Sequence, residues 1–477
     1  MITWKNEAFL PAQIKFVWES EEAYKQAGLS EENSHLFGGE FSQLFHTVKD
    51  NQFMIFAGMG KAEKLDGRKF KNVVAKSSRT LTSFNIKEFS IDISALTDTY
   101  KEKAYFDVVA GVELGLYTYK GVHQENEEKD YTVYVVDNNF SKEQSSELVK
   151  KAKNITDGMI LTREWINTPG NMLTPEIFAN DLNDKLTQAG CEVTVYNEKQ
   201  LAEMGAGAIL AVGESSDHKP RLIAMKYMGN PNSDKVYGYV GKGVTVDTGG
   251  YSLKSAASLM YTKGDMGGAA AVAGAIYAIA KNNLKVNVVA VVPACENRLS
   301  NQSRIPGDVI KSMNGKTIEI LNTDAEGRLI LADALTYAVR EAKVTHIVDV
   351  ATLTGAIVGT LGTVAAGCMT NDEEYLSEFY IAAKEAGERY WQLPLFEEYE
   401  EALKSKVADI KNTGNGNAGS IAAGLFLREF VEETPWIHLD IAGTSQTEAP
   451  SNDYHCFGGT GFATPSLYFL AEAHQDI

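Results

Sequence analysis

Histidine and cysteine are scarce in this chain, and neither is grouped. Eight histidines and four cysteines are spread over 477 residues. There is no His-Glu-x-x-His helix and no paired cysteine spacing, which excludes the common zinc-protease and zinc-knuckle arrangements. Cys191, Cys295, Cys368 and Cys456 are widely separated, with no pairing or zinc-knuckle spacing, and read as reduced, buried thiols. Basic residues fall short of acidic ones, 45 against 63, for a formal charge of −18. That balance disfavours nonspecific binding to nucleic acid or to an anionic membrane. The longest apolar run, residues 266–280, is shorter than the roughly 20 residues a bilayer requires and reads as a helix buried against a sheet. Lys5 brings an early charge with no apolar segment behind it, unlike a secretory signal, so a cytoplasmic location is expected.

Two nucleophile or nucleotide motifs are also missing. Gly213-Glu214-Ser215-Ser216-Asp217 lacks the second glycine of a serine elbow. Gly315-Lys316-Thr317 looks like the end of a phosphate loop, but Ile310 stands where the first glycine must be. His438 lies inside an apolar strand candidate and reads as a core residue rather than a ligand.

A chain of this length with 44% hydrophobic and 23% charged residues can bury more than one core and is expected to form two or more domains. A divide is expected near residue 150, giving an α/β domain over 1–150 and a second over 151–477. The first holds strand candidates Gln52–Gly58 and Tyr131–Val136 and a helix candidate over 105–119. A helical pattern over Lys142–Asn167 links the two. Beyond it, strand candidates at Glu192–Tyr196, 236–246, 285–292, 345–350 and 436–441 alternate with helices, which predicts a twisted α/β sheet covered on both faces. No internal repeat or low-complexity stretch is present.

Against these absences stands the octapeptide Asn322-Thr323-Asp324-Ala325-Glu326-Gly327-Arg328-Leu329. It places two carboxylates and a guanidinium where an apolar strand candidate, 316–321, gives way to a helical pattern over 329–343. Alone, an Asp and a Glu at a helix start read more readily as capping residues than as metal ligands. A second segment, 240–268, adds Lys242, Asp247, Lys254 and Asp265 among glycines that permit close backbone approach. The carboxylates of Asp247, Asp265, Asp324 and Glu326 are expected to converge at the ends of neighbouring strands. Each pair of charges at 4 Å would repel by about 4 kcal/mol at an effective dielectric near 20. Such a cluster calls for cations, and two divalent metals with oxygen ligands would neutralise it.

The chain resembles the cytosolic two-metal leucyl aminopeptidases of the M17 peptidase family. The octapeptide is complete, the Lys-x₄-Asp-x₆-Lys-x₁₀-Asp series has the family's spacing, and four further stretches match. These are Trp165-Ile166-Asn167-Thr168-Pro169-Gly170-Asn171, Pro293-Ala294-Cys295-Glu296-Asn297, Asp349-Val350-Ala351-Thr352-Leu353-Thr354-Gly355 and His438-Leu439-Asp440-Ile441-Ala442-Gly443-Thr444. The resemblance spans about residues 160–465. It implies a smaller, macro-domain-like N-terminal α/β domain with a possible role in assembly, a larger catalytic α/β domain with a mixed sheet, and a homohexamer.

By position, the resemblance also implies that Asp247 and Glu326 bridge two metals, Mn²⁺ or Zn²⁺, with Lys242 and Asp265 completing one site and Asp324 the other. A lysine ligand must be neutral, well below its ordinary pKa near 10.4; the alternative for Lys242 is a salt bridge to one of the carboxylates. Lys254 is implied to stabilise an oxyanion, and Arg328 to hold a bicarbonate that relays a proton; Arg328 reads alternatively as a charge partner of Asp324 or Glu326. The implied substrates are peptides with a free N-terminus, and the implied pH optimum is alkaline. Thr262 stands where the family commonly has methionine, Val246 replaces a usual phenylalanine, and Gly461-Phe462-Ala463-Thr464-Pro465 departs from the family pattern. A roomier or more polar pocket is therefore expected, accepting leucine and several other apolar residues. The loop 412–419 is expected to be the mobile element bordering the site. Two other functions remain open: a binding or regulatory protein on an aminopeptidase scaffold, and a different two-metal hydrolase such as a phosphoesterase.

Overall fold

The computed structural model describes residues 1–6, 11–49, 51–122 and 129–475. The chain divides into two compact units, Met1–Thr156 with Ala449–Phe457, and Asp157–Glu448 with Gly458–Ile477. The helix Lys142–Asn167 runs from the first into the second.

The first unit is built on β1 (Ile2–Lys5), β2 (Ala12–Val17), β3 (Leu44–Lys49), β4 (Gln52–Gly58), β5 (Glu88–Asp92) and β6 (Tyr131–Val136). They form one sheet in the order β1-β6-β5-β2-β4-β3. Only the β3–β4 pair is antiparallel, as befits strands two residues apart in sequence, too close for a crossover helix. The helix Gly67–Ser83 packs on β4, and the helix Lys103–Leu116 packs along it. The second covers most of the expected 105–119 and stops at Tyr117, whose backbone turns extended.

The second unit lays down β7 (Glu192–Tyr196), β8 (Arg221–Met228), β9 (Tyr237–Gly241), β10 (Gly243–Asp247), β11 (Asn287–Asn297), β12 (Val309–Lys311) and β13 (Thr317–Glu319). It continues with β14 (His346–Ala351), β15 (Ala366–Thr370), β16 (Tyr390–Gln392), β17 (Ile410–Lys411) and β18 (Trp436–Asp440). A nine-stranded mixed sheet runs β16-β15-β18-β14-β9-β11-β8-β7, with β10 paired to β11. Every residue of β11 and β18 is buried, which is why these segments read as continuous apolar runs rather than alternating ones. The helix Gly267–Lys281 is buried along almost its whole length. Its small side chains let it lie close on the sheet; a Cβ on Gly268 would sit 1.9 Å from the carbonyl oxygen of Val350. Among the described residues, no helix is long and apolar enough to cross a membrane.

Three expectations need correction. Residues 236–246 do not form one strand: β9 and β10 are separated at Lys242, whose amide donates to the Val350 carbonyl (3.0 Å) and whose carbonyl accepts from Ala269 (2.8 Å). Both of its backbone groups are taken by neighbouring elements, so the chain steps out of the β9 ladder there. The segment 316–321 does not belong to the main sheet. Its strand β13 joins a separate three-stranded sheet, antiparallel to β12 and parallel to β17, so Asp324 and Glu326 arrive from outside the main sheet rather than from a neighbouring strand end. Finally, Cys191, Cys295 and Cys368 are buried, but Cys456 is partly exposed.

Candidate active site

Asp247 ends β10, and two donors fix its carboxylate: the Gly249 amide and the Asn297 side-chain amide both reach Oδ1 at 2.9 Å. Asp265 follows a short 3-10 turn, Thr262–Gly264, with the Thr352 hydroxyl donating to its Oδ1 at 2.8 Å. Asp324 and Glu326 precede the helix Gly327–Arg340. Glu326 occupies the N-cap position, yet its backbone is already helical and its side chain makes no capping hydrogen bond. Instead it turns into the cluster, where carboxylate oxygens of Asp247, Asp265 and Glu326 lie within 4.8 Å of one another.

Two lysines enter this cluster. The Lys242 ammonium lies 2.7 Å from Asp265 Oδ2 and 3.0 Å from Glu326 Oε1, and it also donates to the Thr352 carbonyl. The Lys254 ammonium lies 2.8 Å from Asp247 Oδ2 and contacts Asp324. Burial pulls the pKa of Lys242 down, but Asp265, Glu326 and Asp247 outweigh it and the net shift is upward. The neutral Lys242 expected from the resemblance is therefore not produced by the protein's own groups; it requires added positive charge among the carboxylates. Burial and the Asp247 charge raise the pKa of Glu326, Asp265 and Asp324 alike. Four carboxylates against two ammoniums leave a net negative centre, and Glu326 Oε2 is buried without a hydrogen-bond partner. This donor set of hard oxygens fits divalent cations.

Arg328 is buried in the same wall. Its Nη1 donates to the Asn412 carbonyl at 2.9 Å, while its Nε is buried without a partner. Burial lowers its pKa to about 10, against the raising influence of Glu326 and Asp440. It forms no ion pair within 4 Å with Asp324 or Glu326, since each carboxylate is matched instead to a lysine. A cleft of about 780 Å³ opens over the cluster, lined by Lys242, Asp247, Lys254, Asp265, Asp324 and Arg328 among others.

Gly327 of the octapeptide has a steric role. A Cβ there would meet Lys242 Cε at 2.4 Å and Nζ at 2.7 Å. The helix can thus approach the lysine only without a side chain. Gly327→Ala is expected to push the lysine off its two carboxylates and to weaken metal affinity by about 10- to 100-fold, the range seen when supporting groups of a metal site are lost. Calorimetric titration with Mn²⁺ beside a thermal melt checks this, because a folded protein with unchanged affinity would refute it.

Sequence reading missed two orienting amides. Asn297 holds Asp247 and also donates to the Thr323 carbonyl. Asn412 is fully buried, donates to the Asn322 carbonyl at 2.7 Å and accepts from the Leu321 amide at 2.9 Å. It was grouped with the loop 412–419, whereas it is an anchor of the octapeptide. Asn297 sits inside a matched stretch, so that signal was present; for Asn412 only its place beside a polar loop was visible. His438 is fully buried, with Nδ1 2.6 Å from Asp349 Oδ1 and Nε2 unpartnered. It lies outside the carboxylate cluster, as a core residue should.

The cytosol aminopeptidase catalytic-domain family model matches residues 160–468, and the model of that family's N-terminal domain matches residues 38–126. A "Probable cytosol aminopeptidase" of Clostridium perfringens is 42% identical over 444 residues, covering 91% of this chain and 90% of that protein. One of Clostridium tetani is 39% identical, covering 92% of each. Among solved structures, the bottromycin maturation enzyme BotP is 30% identical with a TM-score of 0.88, covering 98% of this chain and 99% of its own. A tomato leucine aminopeptidase variant is also 30% identical with a TM-score of 0.88, over 99% and 96%. With both domains matched and the carboxylate cluster in place, the chain belongs to the cytosol aminopeptidase family, M17, as a metal-dependent aminopeptidase.

Proposed function

We propose that this enzyme releases N-terminal residues, leucine and other apolar ones among them, from peptides with a free amino terminus. The observation that carries the reading is the convergence of Asp247, Asp265 and Glu326 oxygens within 4.8 Å, beside Asp324, Lys254 and a buried Arg328 with a vacant Nε. Asp247, Asp265, Asp324, Glu326 and a neutral Lys242 would hold two divalent cations, Mn²⁺ or Zn²⁺. When bound, the cations supply Lewis acidity, making a water more acidic and a carbonyl more electrophilic.

The remaining roles fall to the chain itself. Lys254, partly exposed to the cleft, donates to the oxygen on which charge develops, an interaction that strengthens in the transition state. Arg328, whose buried Nε has no partner, would hold a bicarbonate, and the chemistry that group would supply is proton relay between water and the leaving amine. Asp265, on the side of the cleft near Thr262, faces the substrate's α-amine, which accounts for cleavage at free N-termini only. Residues 1–150 would act in assembly and 151–477 in catalysis, within a cytoplasmic homohexamer. A monomer by light scattering under active conditions would refute that assembly.

The deciding experiment is hydrolysis of leucine p-nitroanilide by metal-stripped protein with and without Mn²⁺ or Zn²⁺, beside Asp324→Ala and an N-acetylated substrate. Activity is expected only with metal, Asp324 and a free amine. Silence with every metal in a folded protein would overturn the reading.

A further inference from the structure

The cleft has a second polar wall that the reaction leaves unused. Beyond Asp265, the same cavity is lined by Tyr261, Thr262, Gln446 and Glu448. Gln446 lies across Gly264, the residue before Asp265: its Oε1 would be 2.3 Å from a Cβ at that glycine. The wall therefore begins one residue from the carboxylate assigned to the α-amine. The first side chain of a substrate branches from the carbon that bears that amine, which brings this wall within its reach.

The chemistry of the wall is specific. The Thr262 hydroxyl is spent on the Leu259 carbonyl at 3.1 Å, which leaves its oxygen to accept. The Gln446 side chain makes no hydrogen bond or ion pair to the described residues; only its backbone is engaged, paired with Gly459. Glu448 is exposed and, among the described residues, has no basic group within ion-pairing distance. Its one neighbour of note is the Tyr261 hydroxyl, whose pKa it raises through a hydrogen bond to the carboxylate. Every other carboxylate lining the cleft, Asp247, Asp265 and Asp324, is matched to a lysine. Among the described residues, Glu448 is the one acidic group lining the cleft without a cationic partner.

We propose that this wall selects a first residue with a long cationic side chain, lysine or arginine, whose charged end meets Glu448 and whose stem passes Thr262 and Gln446. This inference deepens the aminopeptidase reading and rests on it. Lysine and arginine suit such a site because the aliphatic stem tolerates the confined part of a cleft while the head stays at its wet rim. It adds basic residues to the apolar ones proposed above, and makes Glu448 a specificity-determining residue for the same reaction.

The test is steady-state hydrolysis of lysyl, norleucyl, glutamyl and leucyl p-nitroanilides at one ionic strength and below pH 9, by the metal-loaded full-length enzyme and its Glu448→Gln and Glu448→Lys variants. Lysyl and norleucyl substrates differ essentially by the charged end. The lysyl-to-norleucyl ratio of kcat/KM is expected to fall at least about threefold in Glu448→Gln, in keeping with a partly screened surface charge pair. Glu448→Lys should move preference toward the glutamyl substrate, and high salt should shrink the wild-type ratio. An unchanged ratio in both variants, with leucyl anilide still hydrolysed, overturns this inference alone. If the wild type turns over none of the four substrates, the aminopeptidase reading fails and the inference falls with it.

Discussion

Lys254→Ala is expected to lower kcat for leucine p-nitroanilide by roughly 10²- to 10³-fold, the loss associated with removing one preorganised donor to a developing oxyanion. Lys254 is the ammonium placed to serve this way: it is partly open to the cleft, while Lys242 is buried behind its carboxylates. Burial pulls the pKa of Lys254 down, Asp247 and Asp324 push it up more strongly, and the net shift is upward. Because the donor acts mainly in the transition state, KM should move far less than kcat. A structural role predicts something else. Without metal, removing Lys254 leaves Asp247 and Asp324 facing each other unpaired, so the variant should melt below the wild type. With metal loaded, the two melts should converge while the kcat loss persists. A kcat within about tenfold of wild type would remove Lys254 from the chemistry.

Asp349→Asn is expected to destabilise the second unit by about 3–5 kcal/mol, the cost of stripping one partner from a buried charge pair. Asp349 and His438 are both fully buried, and Asp349 Oδ2 also accepts from the Trp436 indole at 2.6 Å. The three side chains sit on adjacent strands β14 and β18, with Asp349 in register with His438. Burial disfavours the charged imidazole, Asp349 favours it more, and the net pKa of His438 is raised. A histidine raised in the folded state contributes stability that is fully present below its unfolded pKa, about 6.5, and fades as pH rises through the folded value. Urea denaturation of the wild type should therefore weaken from neutral toward alkaline pH. The variant should show a lower midpoint throughout and a flatter dependence; equal midpoints at pH 6 would refute the charged pair.

Much of the catalytic unit was legible because its signals are local. The helix Lys142–Asn167 has the bounds its pattern suggests, and 266–280 is the buried helix its small residues imply. Strands such as Glu192–Tyr196 stand where apolar runs placed them. The metal-dependent aminopeptidase reading came from motif spacing, which is also local. What was not legible depends on partners distant in sequence. No periodicity tells that Lys242 gives one backbone group to β14 and the other to a helix start, or that β13 pairs with β17 some 90 residues on. The same holds for Asn412, which lies in a polar stretch by sequence and in a sealed core by structure. The upward shift of Lys242 belongs to this class too, since it arises from three carboxylates brought together only by folding.

The segment Ala449–Phe457 belongs to the first unit although the catalytic unit surrounds it in sequence. It is tied there by Asp453, whose amide donates to Asn72 at 2.6 Å, and by Arg79, which donates to the His455 carbonyl. The polypeptide consequently passes between the two units three times. Recombination at a single crossover cannot exchange one N-terminal domain for another, because the nine-residue return segment would stay behind with its former catalytic half. The two halves of such a gene are bound to diverge together, and a working chimera needs both pieces moved as a set.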